Sequence, residues 1–461
     1  MTTTYVFYGE DRRHIEKGAT AYHGFRLDLT KSVDLGAIKA KATAMAAAPQ
    51  SDLRIRIVPP ALFTYTPAAD ADVLDALLRT GDSGLDDPAK LAKQAEALWA
   101  EAMPIRVWVT GKRVDLLAHH AVFDGVRGVE LLNELMGNAD KAGTVARRKL
   151  PSCIVACGPA TLVRVLTCDR QKGTLGACRD GNHHESHYLH LPTAAVKRAK
   201  ATHNLGFAAA LQAGRNSAQF SAQFGAQFLR NALTPRVSLR RRQGLILHSL
   251  LDALGKSGSA STLHVACTVG FKTDRWASLG SGFNHYGAFP YLASLMGSPH
   301  DLGKHVAKNM VKNGMASGWA CLLANSKKCT GGIFERGSGA QLSSISPTPH
   351  RLLCASLLRR CTGGIFGDTF KKIYDSIDVL IGGGPLILDK STGYDAYKLY
   401  KYNHTVPIYI FYATVCDNID VTVQSRVPLP GLKESMAAAV KAFADAPERA
   451  PSEAKLSSLD R

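Results

Sequence analysis

An α/β architecture in two lobes is the expectation for this chain, and it rests on three observations. At 461 residues the chain is longer than one hydrophobic core normally serves. Its apolar content of 46% is enough to fill two cores. Along most of its length, segments with helical spacing of apolar residues alternate with segments of strict two-residue alternation.

The elements follow in order. "SVDLGAIKAKATAMAAA" reads as a helix with a polar start, and "LRIRIV" alternates like a half-buried strand. "DDPAKLAKQAEALWAEA" is a second amphipathic helix. "PIRVWVT", "GK" and "RVDLLAHH" form a β-hairpin, because two alternating runs flank a two-residue turn containing glycine. After Gly125, "VRGVELLNELMG" predicts a helix: Val122, Val126, Val129, Leu132 and Met136 recur at helical spacing, and Gly137 is placed to cap it. Farther on, "LPTAAVKRAKATHNLG" and "ILHSLLDALGKSG" read as helices and "STLHVACTVGF" as a strand. The glycine cluster "IGGGPLI" at 381–387 lacks the helix-opening context and the lysine of a phosphate loop, so a turn before a strand is expected there. "TVPIYIFYATV", the turn "CDN" and "IDVTVQSR" make another hairpin. "GLKESMAAAVKAFADA" closes the chain as a helix, ahead of a frayed tail.

The formal charge of +18 ordinarily suggests nucleic acid, an acidic surface or an anionic substrate. Its distribution argues otherwise. The stretches 151–184, 208–244 and 329–360 carry +11 of it and six of the ten cysteines. The second contains the tandem "SAQFSAQFGAQF", whose Phe220, Phe224 and Phe228 read as core, and the third is framed by "KKCTGGIF" and "RRCTGGIF". All three stretches read as insertions, either surface excursions or mistranslated non-coding sequence. "SLRRRQG" with the three phenylalanines resembles a backbone-tracking surface, but no nucleic-acid module accompanies it and no specific nucleic-acid partner is expected.

Ten cysteines without a secretory signal imply reduced thiols and no structural disulfides. No apolar run approaches the length of a membrane span, so a cytoplasmic protein is expected. Cys153, Cys157, Cys168, Cys178, His183, His184 and His187 offer soft ligands, yet their spacing matches no paired-cysteine knuckle. No metal site is expected.

"LLAHHAVFDGVRG", at 116–128, brings two histidines, an aspartate and a glycine to a junction of strand and helix. "HHAVFDG" fits the pattern HHxxxDG and so resembles the CoA-dependent acyltransferase superfamily. That superfamily includes chloramphenicol acetyltransferase, the condensation domains of peptide synthetases, plant acyltransferases and polyketide-associated acyltransferases. The run "PIRVWVTGKRVDLLAHHAVFDGVRGVELLNEL" resembles its strand, strand, motif and helix in order. "LTKSVDLGAIKAKATAM" with "LRIRI" resembles its opening helix and strand, and "VGFKTDRWASLGSGFNHYGAF" its second-lobe segment. About three quarters of the chain is covered, the three basic stretches excepted.

The resemblance implies two similar chloramphenicol-acetyltransferase-like lobes with an active-site channel between them. The first lobe spans 1–190 and carries the motif and the insertion 151–184; the second spans 191–461 with the insertions 208–244 and 329–360. The implied activity moves an acyl group from a CoA or carrier-protein thioester to a hydroxyl, with an amine as the second-ranked alternative acceptor. His120 is implied as the general base, because a neutral imidazole near its ordinary pKa suits proton abstraction at neutral pH. His119 supports the turn. Asp124 pairs with an arginine and is structural, and Gly125 leaves space where a side chain would crowd the channel. Asn284, with Ser281 and Gly282 beside it, is the candidate donor to the oxyanion. No covalent acyl-enzyme and no bound cofactor are implied; acyl-CoA or a phosphopantetheinyl thioester is a co-substrate, and a carrier protein is a possible partner. The chain lacks the DFGWG element of the plant branch and the His-rich first helix of condensation domains, having "AAAPQSDLRIRI" there. A condensation protein, or a relative that has lost activity, are the alternatives.

Overall fold

The structure is a computed structural model in which residues 4–7, 9–48, 51–60, 62–66, 71–138, 148–149, 175, 183–192, 242–272, 286–295, 298–299, 301–306, 377–388, 393–401 and 406–445 are described. The first half runs β1 (Thr4–Val6), α1 (Gly9–Glu16), β2 (Tyr22–Leu29), α2 (Leu35–Ala46), β3 (Ile55–Val58), β4 (Leu62–Tyr65), α3 (Ala71–Leu77) and β5 (Leu78–Thr80). It continues with α4 (Pro88–Ala100), β6 (Ile105–Thr110), β7 (Arg113–His119) and α5 (Gly125–Leu135). The second half contributes β8 (Arg148–Lys149), β9 (Glu185–Pro192), a helix over 242–256, β10 (Thr262–Lys272) and β11 (Tyr286–Ser294). Then come β12 (Val379–Leu388), β13 (Tyr394–Lys401), β14 (Ile408–Val415), β15 (Asn418–Ser425) and a last helix, Leu432–Asp445.

Local chemistry explains the expected elements. Asp34 caps α2 by accepting from the Ala37 amide, and Asp87 caps α4, with Pro88 in its first turn. The β6–β7 hairpin turns at Gly111, whose φ of 56° costs glycine nothing. Gly137, at φ 68°, ends α5.

The strands form a five-stranded sheet in the order β13-β2-β7-β6-β5 and a seven-stranded sheet containing β11-β10-β12-β14-β15-β9, with β8 against β10; β1, β4 and β3 make a small third sheet. These sheets do not divide the chain at a single point. β9, which begins at Glu185, pairs with β15, and β13 crosses back to pair with β2. Each sheet covers its own core, and β14 is the wall between them. Phe411, Ala413 and Val415 face the first core, while Ile408, Ile410 and Tyr412 face the second.

β13 is stitched to the second sheet by side chains. Its alternate amides donate to Asp420 Oδ2 (Tyr397, 2.8 Å), Thr422 Oγ1 (Leu399, 3.3 Å) and Gln424 Oε1 (Lys401, 2.9 Å). All three acceptors lie on β15. An edge strand whose outward amides are satisfied in this way is closed to further pairing.

Two expectations change. The glycine cluster at 381–387 lies inside β12, not in a turn before a strand. β12 pairs in parallel with β14, with a register shift between Gly383 and Ile387. A Cβ on Gly382 would sit 3.2 Å from Thr268 Oγ1 and 3.6 Å from Phe411, so the glycine answers a close approach of neighbours. Of "LPTAAVKRAKATHNLG", Leu191 and Pro192 end strand β9, and the rest lies outside the described residues.

Stretch 329–360 lies wholly outside the described residues, and most of 151–184 and 208–244 does too. Of the parts that are described, His183 and His184 are exposed, while Leu175 and Gln243 are packed. Leu175 is buried in the second core and donates its amide to Asp378 Oδ1 at 2.8 Å. Gln243 is fully buried in the first turn of its helix. Cys267 and Cys416 are free thiols. Among the described residues no helix is long and apolar enough to cross a membrane.

Candidate active site

The motif begins where β7 runs out. The His119 carbonyl accepts from the amides of Val122 (3.0 Å) and Phe123 (3.1 Å), which folds the chain into a tight turn. The His120 amide donates to the Ala21 carbonyl at 3.0 Å and ties that turn to the segment before β2. Asp124 then starts α5: its Oδ1 accepts from the Arg127 amide at 2.7 Å, an N-cap. The guanidinium of Arg127 goes elsewhere, to Asp52 (2.8 Å) and Glu134 (2.7 Å).

His119 is fully buried and both of its ring nitrogens are engaged by backbone. Nε2 lies 3.2 Å from the Gly18 carbonyl, and Nδ1 accepts from the Ala121 amide at 3.2 Å. Those contacts specify the Nε2–H tautomer. Trp99 stacks on the ring at 5.4 Å and Tyr22 meets it edge-on at 4.8 Å. Burial pushes its pKa down to about 3.

His120 is half-buried and lies between two other imidazoles. His14, from α1, stacks on it at 4.1 Å with the planes 10° apart, and His23, from β2, meets it edge-on at 4.7 Å. The sequence alone suggested an imidazole near its ordinary pKa. The structure holds it well below, by burial first, then by His23 and the cations Lys401 and Lys17. His120 is therefore neutral at pH 7.

His23 is buried as well, and burial, Lys401 and His119 lower its pKa. Its ring is hydrogen-bonded to the Phe123 carbonyl in the motif loop, while its Nε2 has no hydrogen-bond partner among the described residues. The Tyr397 hydroxyl, on β13, is a second buried polar atom without a partner there. Tyr397 packs between Phe25 and Phe411.

The glycines of the motif helix differ. A Cβ on Gly125 would touch Phe411 at 3.6 Å, an ordinary contact, so any crowding there would involve a bound chain and not the protein. One on Gly128 would sit 2.6 Å from the Phe25 ring. Lys401 also lines a pocket of about 270 Å³ between Leu85, Leu91, Glu185, Tyr400 and Gln424. Asn284, Ser281 and Gly282 lie outside the described residues, as do Cys153, Cys157, Cys168 and Cys178. His183 and His187 flank Glu185 at 3.4 and 3.1 Å, but among the described residues no group of three or more His, Cys, Asp or Glu is arranged to hold a metal.

Sequence reasoning missed His14, His23, Lys17 and Lys401. One of them left a signal. In "YHGFRLDL" the alternation puts His23 on the face of Phe25 and Leu27, and a polar residue on an apolar face asks for a reason. Lys401 reaches the site through the pairing of β13 with β2, where it lies opposite His23, and nothing local announces that pairing.

No family model matches the chain, and no curated protein matches it in sequence. Solved structures do match it in fold. The condensation domain of the Monacolin K polyketide synthase MokA superposes with a TM-score of 0.51 at 10% identity, over 97% of this chain and 98% of that one. The first condensation domain of the calcium-dependent antibiotic synthetase, in complex with a substrate analogue, gives 0.51 at 14% identity, over 96% and 97%. The epimerization domain from the third module of tyrocidine synthetase B gives 0.50 at 9% identity, over 96% of each. With these likenesses spanning nearly the whole chain, the protein has the two-lobed, chloramphenicol-acetyltransferase-like fold of the condensation domains.

Proposed function

We propose that the chain transfers an acyl group from a thioester, of CoA or of a carrier protein, to a hydroxyl or an amine. The observation that carries this reading is the state of His120, a neutral, half-buried imidazole at the end of β7 whose turn is held by the backbone bonds of His119. In the proposed reaction His120 takes the proton of the acceptor as its oxygen or nitrogen attacks the thioester carbonyl. The tetrahedral intermediate collapses with cleavage of the C–S bond, and the proton passes from His120 to the leaving sulfur. No acyl-enzyme forms. Asp124 serves by capping α5, Gly125 by keeping the approach open, and Asn284 with Ser281 and Gly282 by donating to the oxyanion.

Whole-chain likeness to condensation domains supports a second reading, in which the donor is a carrier-protein thioester and the acceptor an amine. One experiment addresses both. Thiol release is followed with a panel of acyl-CoAs and acyl-carrier-protein thioesters, each offered alcohols and amines. His120→Ala should lower the rate by about 10² to 10⁴ while the thermal midpoint holds. Turnover within tenfold of wild type in that variant sinks the assignment of His120.

A further inference from the structure

We propose that His23 is a second proton-accepting group beside His120, so that the two imidazoles share one proton and titrate as a pair. In its use during acyl transfer this rests on the function proposed above, but the pairing itself is a property of the resting protein.

The geometry supplies three supports. The rings meet edge-on with centroids 4.7 Å apart, too close in a poorly hydrated site for both to carry charge together. His23 is bonded to the Phe123 carbonyl while its Nε2 has no partner, so the bonded nitrogen is Nδ1, which donates. Nε2 is then a bare lone pair, a base and not an N–H. His23 thus grips the motif loop with one nitrogen and keeps the other unused. A buried acceptor without a donor is costly, and its retention beside a candidate base calls for an explanation.

Every packed element contributes to the electrostatics. α1 supplies His14, stacked on the far side of His120, and Lys17 follows that helix. β7 supplies His119, held neutral, and β13 supplies Lys401. An arriving proton is opposed at His120 by Lys401 and Lys17, and at His23 by Lys401. During transfer, the N–H bond formed on His120 as the acceptor's bond to hydrogen breaks would face this second base, and the same proton returns to the leaving sulfur. His23 is a positioning residue by this reasoning, since it acts on the reaction through His120.

The test needs no substrate. Histidine-labelled full-length protein is followed by ¹⁵N NMR of the ring nitrogens from pH 8 down to the onset of acid unfolding, in wild type, His23→Gln and His120→Gln. Glutamine keeps a donor for the Phe123 carbonyl but takes up no proton. At pH 7 the expected spectrum has His23 protonated on Nδ1 and bare on Nε2. On acidification the wild-type pair should take up one proton, and removing the ring that titrates first should raise the midpoint of the other by at least about one pH unit, a tenfold gain in proton affinity. The proposal is overturned if Nε2 of His23 carries hydrogen at pH 7. It is equally overturned if both rings titrate with midpoints indifferent to each other, or if neither titrates before the protein unfolds. A pair that titrates as described in a protein without thioester turnover would leave the pairing standing and remove the function proposed above.

Discussion

The two faces of the β2–β7 pair bury polarity in opposite ways. On one face Arg26 makes a bidentate pair with Asp115, directly opposite it in register, with Nε–Oδ1 at 2.7 Å and Nη2–Oδ2 at 3.0 Å. Asp86 takes the remaining arm at 3.1 Å, and Ser83 donates to the same Asp115 carboxylate. On the other face lie His23 and, just past the strand end, His120, neutral bases with lysines nearby. Full charges are compensated on the first face, and that compensation is structural. On the second, the neutral His23 leaves the lone pair of its Nε2 unspent, and such a surface responds to an added proton. The difference teaches where to look for chemistry, which is where polarity is buried and left unanswered.

The sharpest way to break this contrast is on the ionic face. Asp115→Ala takes the bidentate partner from a guanidinium whose side chain is 2% exposed and leaves it only the half-exposed Asp86, and the loss should be about 3 kcal/mol in urea unfolding. Thioester turnover by whatever fraction stays folded should be unimpaired. A stable Asp115→Ala protein would mean that the pair is not what holds that face.

Acid stability probes the opposite face. His119 has its pKa lowered to about 3, and His23 and His120 are lowered as well. Below the ordinary histidine pKa of about 6.5 the unfolded chain binds protons that the folded one refuses, so stability is full above that pH and falls as pH drops toward 3. Each imidazole contributes a slope of about 1.4 kcal/mol per pH unit once well below 6.5. Urea midpoints at pH 7, 6 and 5 measure it. A flat profile over that range would contradict burial of these rings in neutral form.

Two glycines sharpen the picture at smaller scale. Gly128→Ala presses a methyl onto the buried Phe25 ring and should cost about 1–3 kcal/mol, less up to about 1 kcal/mol gained from helix propensity. Gly125→Ala meets only Phe411 at ordinary distance, and its stability should stay within about 1 kcal/mol of wild type. If this second change abolishes turnover without loss of stability, the space at Gly125 is kept for a substrate. Thermal melts of the two variants, run side by side with thiol release, decide it.

Much of the first lobe was legible in sequence because its signals are local. Asp34 and Asp87 announce their helices, Gly111 its turn, and the alternation of "RVDLLAH" its strand up to the histidines. The turn at His119 and the start of α5 follow from the same few residues. What escaped is what depends on pairing at a distance. His14 and His23 meet His120 from more than ninety residues upstream, and Lys401 meets it from far downstream, by sheet register and packing. The glycines at 382–384 misled for a related reason, since a close neighbour across a sheet and a turn ask for the same residue.

The crossing of β13 has a consequence for how the molecule is made. During synthesis, β2 and β7 leave the ribosome early and can pair at once, but the other edge of β2 stays open until residues 394–401 have been translated. Throughout that interval His23 lies on a strand with an unpartnered edge, and Lys401, the cation that acts on it, does not yet exist. The first sheet cannot mature as an independent early product. An exposed strand edge is an invitation to the wrong partner, so the nascent chain carries its greatest risk of misassembly before its last strands arrive.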